Sequence, residues 1–194
     1  MPMEHTAVRV ETEERLEHIS FGMWLFISSE IMFFTPFFAM YIIMRNAHPE
    51  MWHLHMLNVP IASVNTFILV ISSLFMTNAV NASKAGDGTK ASNNLLLTAL
   101  CGVAFLVLKA VEYSGEIKEG LLPSSNLFYS CYYTMTGFHG LHILIGVVVM
   151  VVLALRARRG DFTKTYNSPV EVCGLYWCLV EVVWFFLFPV LYLV

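Results

Sequence analysis

The chain has 194 residues, of which 57% are hydrophobic and only 13% are charged, and its mean hydropathy is +0.66. Soluble domains carry about 25% charged residues, so this composition leaves too little polar surface for a water-soluble fold. The formal net charge of -3 is uninformative, and no basic stripe indicates a nucleic-acid partner. Lipid solvates apolar side chains directly, and the composition therefore predicts an integral membrane protein.

The first eighteen residues are polar and acidic, whereas long apolar stretches dominate the chain from residue 21 onward. A helix that crosses a bilayer needs about 20 mostly apolar residues, and five stretches meet this need. The sequence thus predicts an all-α, polytopic membrane bundle of five transmembrane helices. The predicted helices are 21–44, 59–80, 95–111, 127–155 and 172–194. They form one membrane domain, 1–194, in which 1–18 is a polar cytoplasmic segment.

The predicted third helix is the shortest of the five, and Lys109 and Glu112 lie at its end. Long side chains near a helix end can carry their charges to the membrane surface, so both residues are expected to reach the interface. The link before this helix contains Gly86-Asp87-Gly88, which is typical of a tight turn. All predicted links are short and leave no room for a second, soluble domain.

Lysines and arginines are distributed unevenly between the two membrane faces that these helices define. One face receives the N-terminus and the second and fourth links, with these residues: Arg9, Arg15, Lys84, Lys90, Arg156, Arg158, Arg159 and Lys164. The opposite face receives Arg45 and Lys118, with Lys109 near that end of its helix. Cytoplasmic loops carry the excess of positive charge, so the N-terminus is predicted to be cytoplasmic and the C-terminus to lie on the far side.

Four ionisable residues fall near the middle of the predicted helices, namely Glu30, His139, His142 and Glu181. Glu30 and Glu181 each lie nine residues after the start of their helices, about 14 Å along the axis. A carboxylate at that depth costs at least about 2.5 kcal/mol, so each is expected to be protonated or paired. The sequence predicts at least one glutamate–histidine contact, with His139 favoured over His142 as the partner of Glu30.

Two interpretations of this buried polar layer are open. The polar groups either hold the helices in register or take part directly in proton handling. His139 and His142 are three residues apart on one helix face and could in principle bind a metal, but no complete ligand set for haem or copper accompanies them. The Glu-x-x-His pairs that helical di-iron sites use are missing, so no metal is predicted in the chain itself.

Packing surfaces are predicted on the last two helices. Spacings of four, three and four place these residues in one stripe of the fifth helix: Trp177, Glu181, Trp184 and Phe188. Such a stripe is most often a packed or lipid-facing surface. On the fourth helix, Gly137, Gly140 and Gly146 permit close contact with a neighbouring helix.

Four segments, taken in their order and spacing, resemble subunit III of the haem–copper oxidases, which oxidise cytochrome c or quinol. WLFISSEIMFF at 24–34 resembles the glutamate-bearing helix of that family, and NTFILVISS at 65–73 resembles the helix that follows. GFHGLHILIG at 137–146 and YWCLVEVVW at 176–184 resemble its last two helices. The resemblance covers most of the chain and matches the five-helix bacterial form, which lacks the first two helices of longer members.

This resemblance implies an accessory subunit of a bacterial terminal oxidase that reduces oxygen to water and pumps protons in the inner membrane. Such a subunit binds no redox centre. It packs against the catalytic subunit I and other oxidase subunits, which hold the haem and copper, and it stabilises the complex and supports proton uptake. Glu30 matches the family's glutamate that reacts with hydrophobic carbodiimides.

Two positions depart from the pattern of the family. Cys178 stands where a histidine is usual, and Glu181 stands where an aspartate is usual. Glu181 keeps the acid with one more methylene, so its role is expected to carry over. The resemblance also implies bound phospholipid, with tails and head groups expected near these residues: Trp24, Trp177, Trp184, Arg156, Arg158 and Arg159.

Three other functions are compatible with the same residues. The first is the related accessory subunit of a nitric oxide reductase system. The second is a stand-alone membrane metalloenzyme that uses Glu30, His139, His142 and Glu181. The third is a small transporter with a proton-coupled glutamate, although the chain has no internal repeat of the kind that many transporters are built from.

Overall fold

The computed structural model of the chain describes residues 2–49, 57–124, 126–159 and 168–193, with side chains from residue 21 onward except that of Ser168. Helices and short turns make up these residues, and no β-strand occurs among them. The helices are α1 (Pro2–Ala47), α2 (Val59–Ala85), α3 (Gly88–Lys118), α4 (Leu127–Arg158) and α5 (Ser168–Phe188), followed by a π-helical turn (Pro189–Leu193). Five segments, one per helix, are long and apolar enough to cross a membrane, as predicted.

The third helix is longer than the sequence predicted. It runs from Gly88 to Lys118 instead of 95–111, because polar residues continue it at both ends. Lys109 and Glu112 therefore lie within the helix. Both are buried, with solvent-exposed fractions of only 6% and 5%. The prediction that these two side chains reach the membrane interface is wrong, because each finds a charged partner inside the bundle.

The turn predicted at residues 86–88 is present between α2 and α3. Gly86 ends α2 in the left-handed conformation, with φ 80° and ψ 14°, which glycine adopts without steric cost. Asp87 caps α3, and its Oδ1 accepts a hydrogen bond from the backbone N–H of Lys90 at 3.0 Å. This backbone hydrogen bond, together with the side chain of Lys90, holds the pKa of the Asp87 carboxyl below its usual range.

Helices α2 to α5 form the core, in which α2 packs on α3 and α5, and α4 packs on α3 and α5. The two largest fully buried side chains are Trp177 and Trp184, both on α5. Gly146 of α4 faces Trp177 closely, because a Cβ at Gly146 would lie 3.0 Å from the indole ring. Gly137 has no atom within 4 Å of such a Cβ, so only part of the predicted glycine surface is a helix contact.

Helix α1 lies at the side of this core, where it contacts α4 and α5. Most of its side chains from Phe21 to Ala47 are exposed, and Met23, Phe34 and Tyr41 are its buried apolar ones. Most of the exposed side chains are apolar, as expected of a helix that faces lipid or another membrane subunit. Because α1 carries Glu30, the packing of this helix decides which residue that carboxyl meets.

Candidate functional site

Glu30 of α1 and His142 of α4 form a polar contact between the two helices. Glu30 Oε2 lies 2.9 Å from His142 Nε2. The side chain of Glu30 is 17% exposed to solvent and that of His142 is 15% exposed. The other ring nitrogen, Nδ1, lies 2.7 Å from the carbonyl oxygen of Phe138. A carbonyl oxygen only accepts, so Nδ1 carries a proton and the Glu30 contact contains one more. That proton is either on the imidazole beside a carboxylate or on the carboxyl group of Glu30.

The partner of Glu30 is His142, so the preference for His139 was wrong. Three residues turn a helix by about 300°, which leaves two such side chains about 60° apart on the helix surface. This angle is enough to aim them at different neighbours. His142 points toward α1, whereas His139 points into the four-helix core.

His139 is fully buried among aromatic rings. Its ring stacks on that of Trp184 at 5.3 Å between centroids, and it makes a T-shaped contact with Phe105 at 5.7 Å between centroids. Neither ring nitrogen makes a hydrogen bond to any described residue. His139 is therefore separate from the Glu30–His142 pair, and the predicted layer does not form one connected group.

Glu181 on α5 bonds to serines of α2 and not to a histidine. Its Oε1 accepts a hydrogen bond from Ser72 Oγ at 2.9 Å, and its Oε2 accepts a second, short one from Ser73 Oγ. The indole N–H of Trp177 donates to the same Ser72 hydroxyl at 2.9 Å. Glu181 is 6% exposed, so these bonds satisfy a buried carboxyl and tie α5 to α2.

A second buried polar cluster, which the sequence did not predict, surrounds Lys109. Its ammonium group donates to Glu112 Oε2 at 3.0 Å, to Tyr132 Oη at 3.1 Å and to Tyr192 Oη at 2.7 Å. A lysine has three donors, so this set uses all of them. Tyr192 Oη in turn donates to Glu112 Oε1 at 2.7 Å. The cluster joins α3, α4 and the closing π-helical turn.

Aromatic rings complete the surroundings of this lysine. Its nitrogen lies 4.9–5.5 Å from the ring centroids of Tyr113, Tyr132, Trp184 and Tyr192. The rings of Tyr113 and Trp184 stabilise a cation at this distance through their negative faces, whereas Tyr132 and Tyr192 meet it through their hydroxyl oxygens. The spacing of Lys109 and Glu112 by three residues was the available sequence signal, since such a pair can close on one helix face. The tyrosines come from distant segments and gave no signal.

An apolar groove of about 450 Å³ runs between α1 and α5. Trp24, which is 60% exposed, lines it, and so does Cys178. Trp177 and Trp184 do not line it, because both are buried inside the bundle and donate to Ser72 and Thr66. The expectation that these two tryptophans border a lipid groove does not agree with their positions in the structure.

The three arginines predicted to meet lipid head groups lie together at the end of α4. Arg156 and Arg158 are in its last turn, Arg159 caps it, and all three are exposed. Arg158 Nη2 donates to Asn93 Oδ1 at 3.4 Å. A Cβ on Gly88 would lie 2.6 Å from the carbonyl oxygen of Ala157, so the arginines and the α2–α3 turn are at the same end of the bundle.

No group of three or more histidine, cysteine, aspartate or glutamate side chains in the described part of the chain is arranged to hold a metal ion. His142 is engaged with Glu30, and Glu181 with the serines of α2. The four cysteines are free thiols. The described residues therefore give no support to the metalloenzyme hypothesis.

The whole chain, residues 1–194, matches the model of a protein family described as Cytochrome c oxidase subunit III. It is 36% identical to the cytochrome c oxidase subunit 3 of Corynebacterium diphtheriae over 190 residues, which cover 96% of this chain and 93% of the relative. The protein of that name from Thermostichus vulcanus is 32% identical over 98% of this chain and 96% of its own length. The one from Bacillus sp. PS3 is 34% identical over 89% and 84%.

Proposed function

The chain belongs to the cytochrome c oxidase subunit III family, and from this we propose that it is the accessory subunit that stabilises the catalytic subunit I of a bacterial terminal oxidase. It is a multi-pass protein of the bacterial inner membrane and associates with other oxidase subunits. In the proposed complex the haem and copper belong to the partner subunits, and this chain carries no redox centre.

One observation carries the proposal of a non-catalytic role. The glutamates of the family motifs and His142 are occupied by hydrogen-bond partners on neighbouring helices, and His139 is enclosed by aromatic rings, so none of them is presented to a substrate. Glu30 meets His142, and Glu181 meets Ser72 and Ser73. Such contacts support a structural role, in which the buried polar residues stabilise the helix packing of a subunit that lies beside the catalytic one.

Lipid retention is the second part of the proposal. The groove between α1 and α5 is almost entirely apolar, as an acyl chain requires. The exposed arginines Arg156, Arg158 and Arg159 offer cationic partners for phosphate head groups. We propose that phospholipid tails occupy the groove beside Trp24, and that anionic head groups meet the arginines.

Support of proton uptake is the third part, and it rests on the Glu30–His142 pair. The hydrogen bonds of His142 leave one exchangeable proton in this contact, within the membrane-spanning part of the chain. We propose that the pair assists proton supply to the catalytic subunit. The N-terminus is proposed to be cytoplasmic because of the distribution of lysine and arginine, and reporter fusions at the two termini should give opposite locations.

Purification from native membranes in mild detergent tests the proposal. We expect the tagged chain to bring down a haem-bearing partner in a constant ratio, whereas the separated chain shows no Soret absorption and no stoichiometric iron or copper. A complex without the chain should still reduce oxygen at first but lose activity faster during turnover. A tagged chain that retains no haem protein, or that binds metal itself, contradicts the proposal.

A further inference from the structure

A cavity of about 310 Å³ lies between the second half of α2 and the first turns of α5. It is distinct from the apolar groove between α1 and α5, although Leu175 lines both. Part of its lining is apolar, with Met76 and Val80 of α2 beside Leu175. The rest is polar and consists of these residues: Thr77, Asn81, Lys84 and Glu171. The cavity therefore suits a ligand that is itself partly apolar and partly polar.

The charged residues of this cavity lie where its two helices reach the membrane surface. Lys84 is the last residue but one of the apolar span Val59–Ala85, and Glu171 is the third residue of the span Pro169–Leu193. Met76 precedes Lys84 by eight residues, so it lies about 12 Å deeper along the helix axis. The cavity thus runs from the level of lipid head groups toward the hydrocarbon core of the bilayer.

Two opposite charges stand at the outer end of the cavity. Lys84 Nζ lies 3.1 Å from Glu171 Oε1, and the two side chains are 54% and 38% exposed. An ion pair as exposed as this one contributes little to stability, so its two groups can turn to a ligand at small cost. A single charged group from a protein partner would satisfy only one of them. A ligand that carries both signs of charge satisfies both.

A phosphoethanolamine head group has the charges that this arrangement requires. Its phosphate is a partner for the ammonium group of Lys84, and its primary ammonium donates hydrogen bonds to the carboxylate of Glu171. Phosphatidylglycerol carries no cation and would bring only negative charge to Glu171. Phosphatidylcholine carries a cation but has no N–H to donate, so Glu171 discriminates against both.

We propose that the cavity between α2 and α5 binds one phospholipid with a primary amine, such as phosphatidylethanolamine. Its head group bridges Lys84 and Glu171, and one of its acyl chains covers Met76, Val80 and Leu175. The inference adds a second lipid site to the proposed function and gives it a head-group preference. It rests on the membrane location of the chain and not on the groove beside Trp24.

The test uses the purified complex and a phosphatidylethanolamine with a photoreactive diazirine in the first half of one acyl chain. Illumination should label α2 at Met76 or Val80, which peptide mass spectrometry identifies. Unlabelled phosphatidylethanolamine should suppress this label at a concentration roughly three-fold lower than phosphatidylcholine or phosphatidylglycerol, the size of effect expected of one exposed charge pair. The groove beside Trp24 has no charged residue in its lining, so any label there should respond equally to the three lipids.

Two variants separate the two charges. Glu171→Gln removes the partner of the amine but keeps Lys84, so phosphatidylglycerol should then compete at least as well as phosphatidylethanolamine. Lys84→Gln removes the partner of the phosphate and should weaken competition by all three lipids. Asp87→Asn is the matched control, because Asp87 and Lys90 form another exposed ion pair of 3.1 Å within α3 and its cap. This control should compete like the wild type.

Three results would overturn the proposal. No label at Met76 or Val80 would show that no acyl chain enters the cavity. Equal competition by the three lipids, in the wild type and in Glu171→Gln alike, would mean that Lys84 and Glu171 form a surface ion pair only. Faster loss of a partner subunit from the Lys84→Gln complex, with the label on α2 unchanged, would show that a protein group occupies this position.

These outcomes are separate from failure of the proposed function. If the wild-type chain retains no haem-bearing partner, the accessory role fails, and labelling of the full chain in lipid bilayers still tests the cavity. If the complex forms and the cavity shows no head-group preference, only this inference fails.

Discussion

Glu30 and His142, which are 112 residues apart in the sequence, share a hydrogen bond of 2.9 Å that joins α1 to α4. Helix α1 lies at the side of the core, and aromatic contacts with α4 flank the hydrogen bond, including T-shaped stacking of Phe33 on Phe138. A directional hydrogen bond of this kind helps to fix the rotation of α1 about its own axis relative to α4.

Glu30→Ala should lower the free energy of unfolding by about 1–3 kcal/mol, because it leaves the Nε2 atom of His142 without a partner. Glu30→Gln should cost less, since its amide can still hydrogen-bond to the imidazole. Thermal unfolding of the isolated chain in detergent measures both changes. His139→Gln is the comparison at the histidine that Glu30 does not contact, and it should leave the effect of Glu30→Ala unchanged. Equal effects of Glu30→Ala and Glu30→Gln would contradict the importance of the hydrogen bond.

Glu181→Ala should destabilise the chain by about 1–3 kcal/mol, because Ser72 and Ser73 lose their common acceptor inside the bundle. Glu181→Asp shortens the side chain by one methylene and should retain at most one of the two hydrogen bonds. Glu171→Gln is a suitable control, because its ion pair with Lys84 is largely exposed. Denaturant unfolding should rank the variants in the order alanine, aspartate and control, from least to most stable.

Lys109→Met should be among the most destabilising single changes, by about 3–5 kcal/mol, because it leaves the Glu112 carboxylate buried without its counter-charge. Removing the second charge with Lys109→Met and Glu112→Gln together should recover part of this loss. A double-mutant cycle built from the unfolding free energies gives the coupling energy between Lys109 and Glu112. Additive effects of the two changes would indicate that the pair seen at 3.0 Å contributes no coupling energy.

Gly146→Ala should destabilise the bundle by about 1–3 kcal/mol, because the new methyl group would lie 3.0 Å from the Trp177 ring. Gly137→Ala on the same helix should be neutral or slightly stabilising, since it meets open space and alanine favours helix. Comparing the thermal unfolding of the two variants separates the cost of crowding Trp177 from the gain in helix propensity that alanine brings at both positions. A similar change in both would mean that the Trp177 contact does not limit the space at Gly146.

Asp87→Ala should weaken the start of α3, because the N–H of Lys90 loses its capping acceptor. The folded pKa of Asp87 is lowered, so its contribution is present above the unfolded pKa and is lost as the pH falls through the folded value. Wild type and Asp87→Ala should therefore converge in stability at acidic pH. Asp87→Asn keeps a cap without the titrating group, and its difference from Asp87→Ala should not depend on pH.

The amino-acid sequence alone determined the number of membrane-spanning helices, the turn at Gly86 and which helices carry Glu30, His139, His142 and Glu181. These properties depend on the local run of apolar residues, on glycine's access to positive φ and on the constant rise of a helix. They need no knowledge of which helices meet. For the same reason the family motifs could be recognised segment by segment.

Only the tertiary structure decided which side chains meet. The choice of His142 over His139 depends on a rotation of about 60° around α4, which helical spacing cannot relate to the position of α1. The burial of Lys109 and Glu112 depends on tyrosines from α4 and from the closing turn, which supply the hydrogen bonds that a buried charge needs. Partners far apart in sequence supply these hydrogen bonds, so the sequence predicted that Lys109 and Glu112 reach the membrane interface, although both lie in the core.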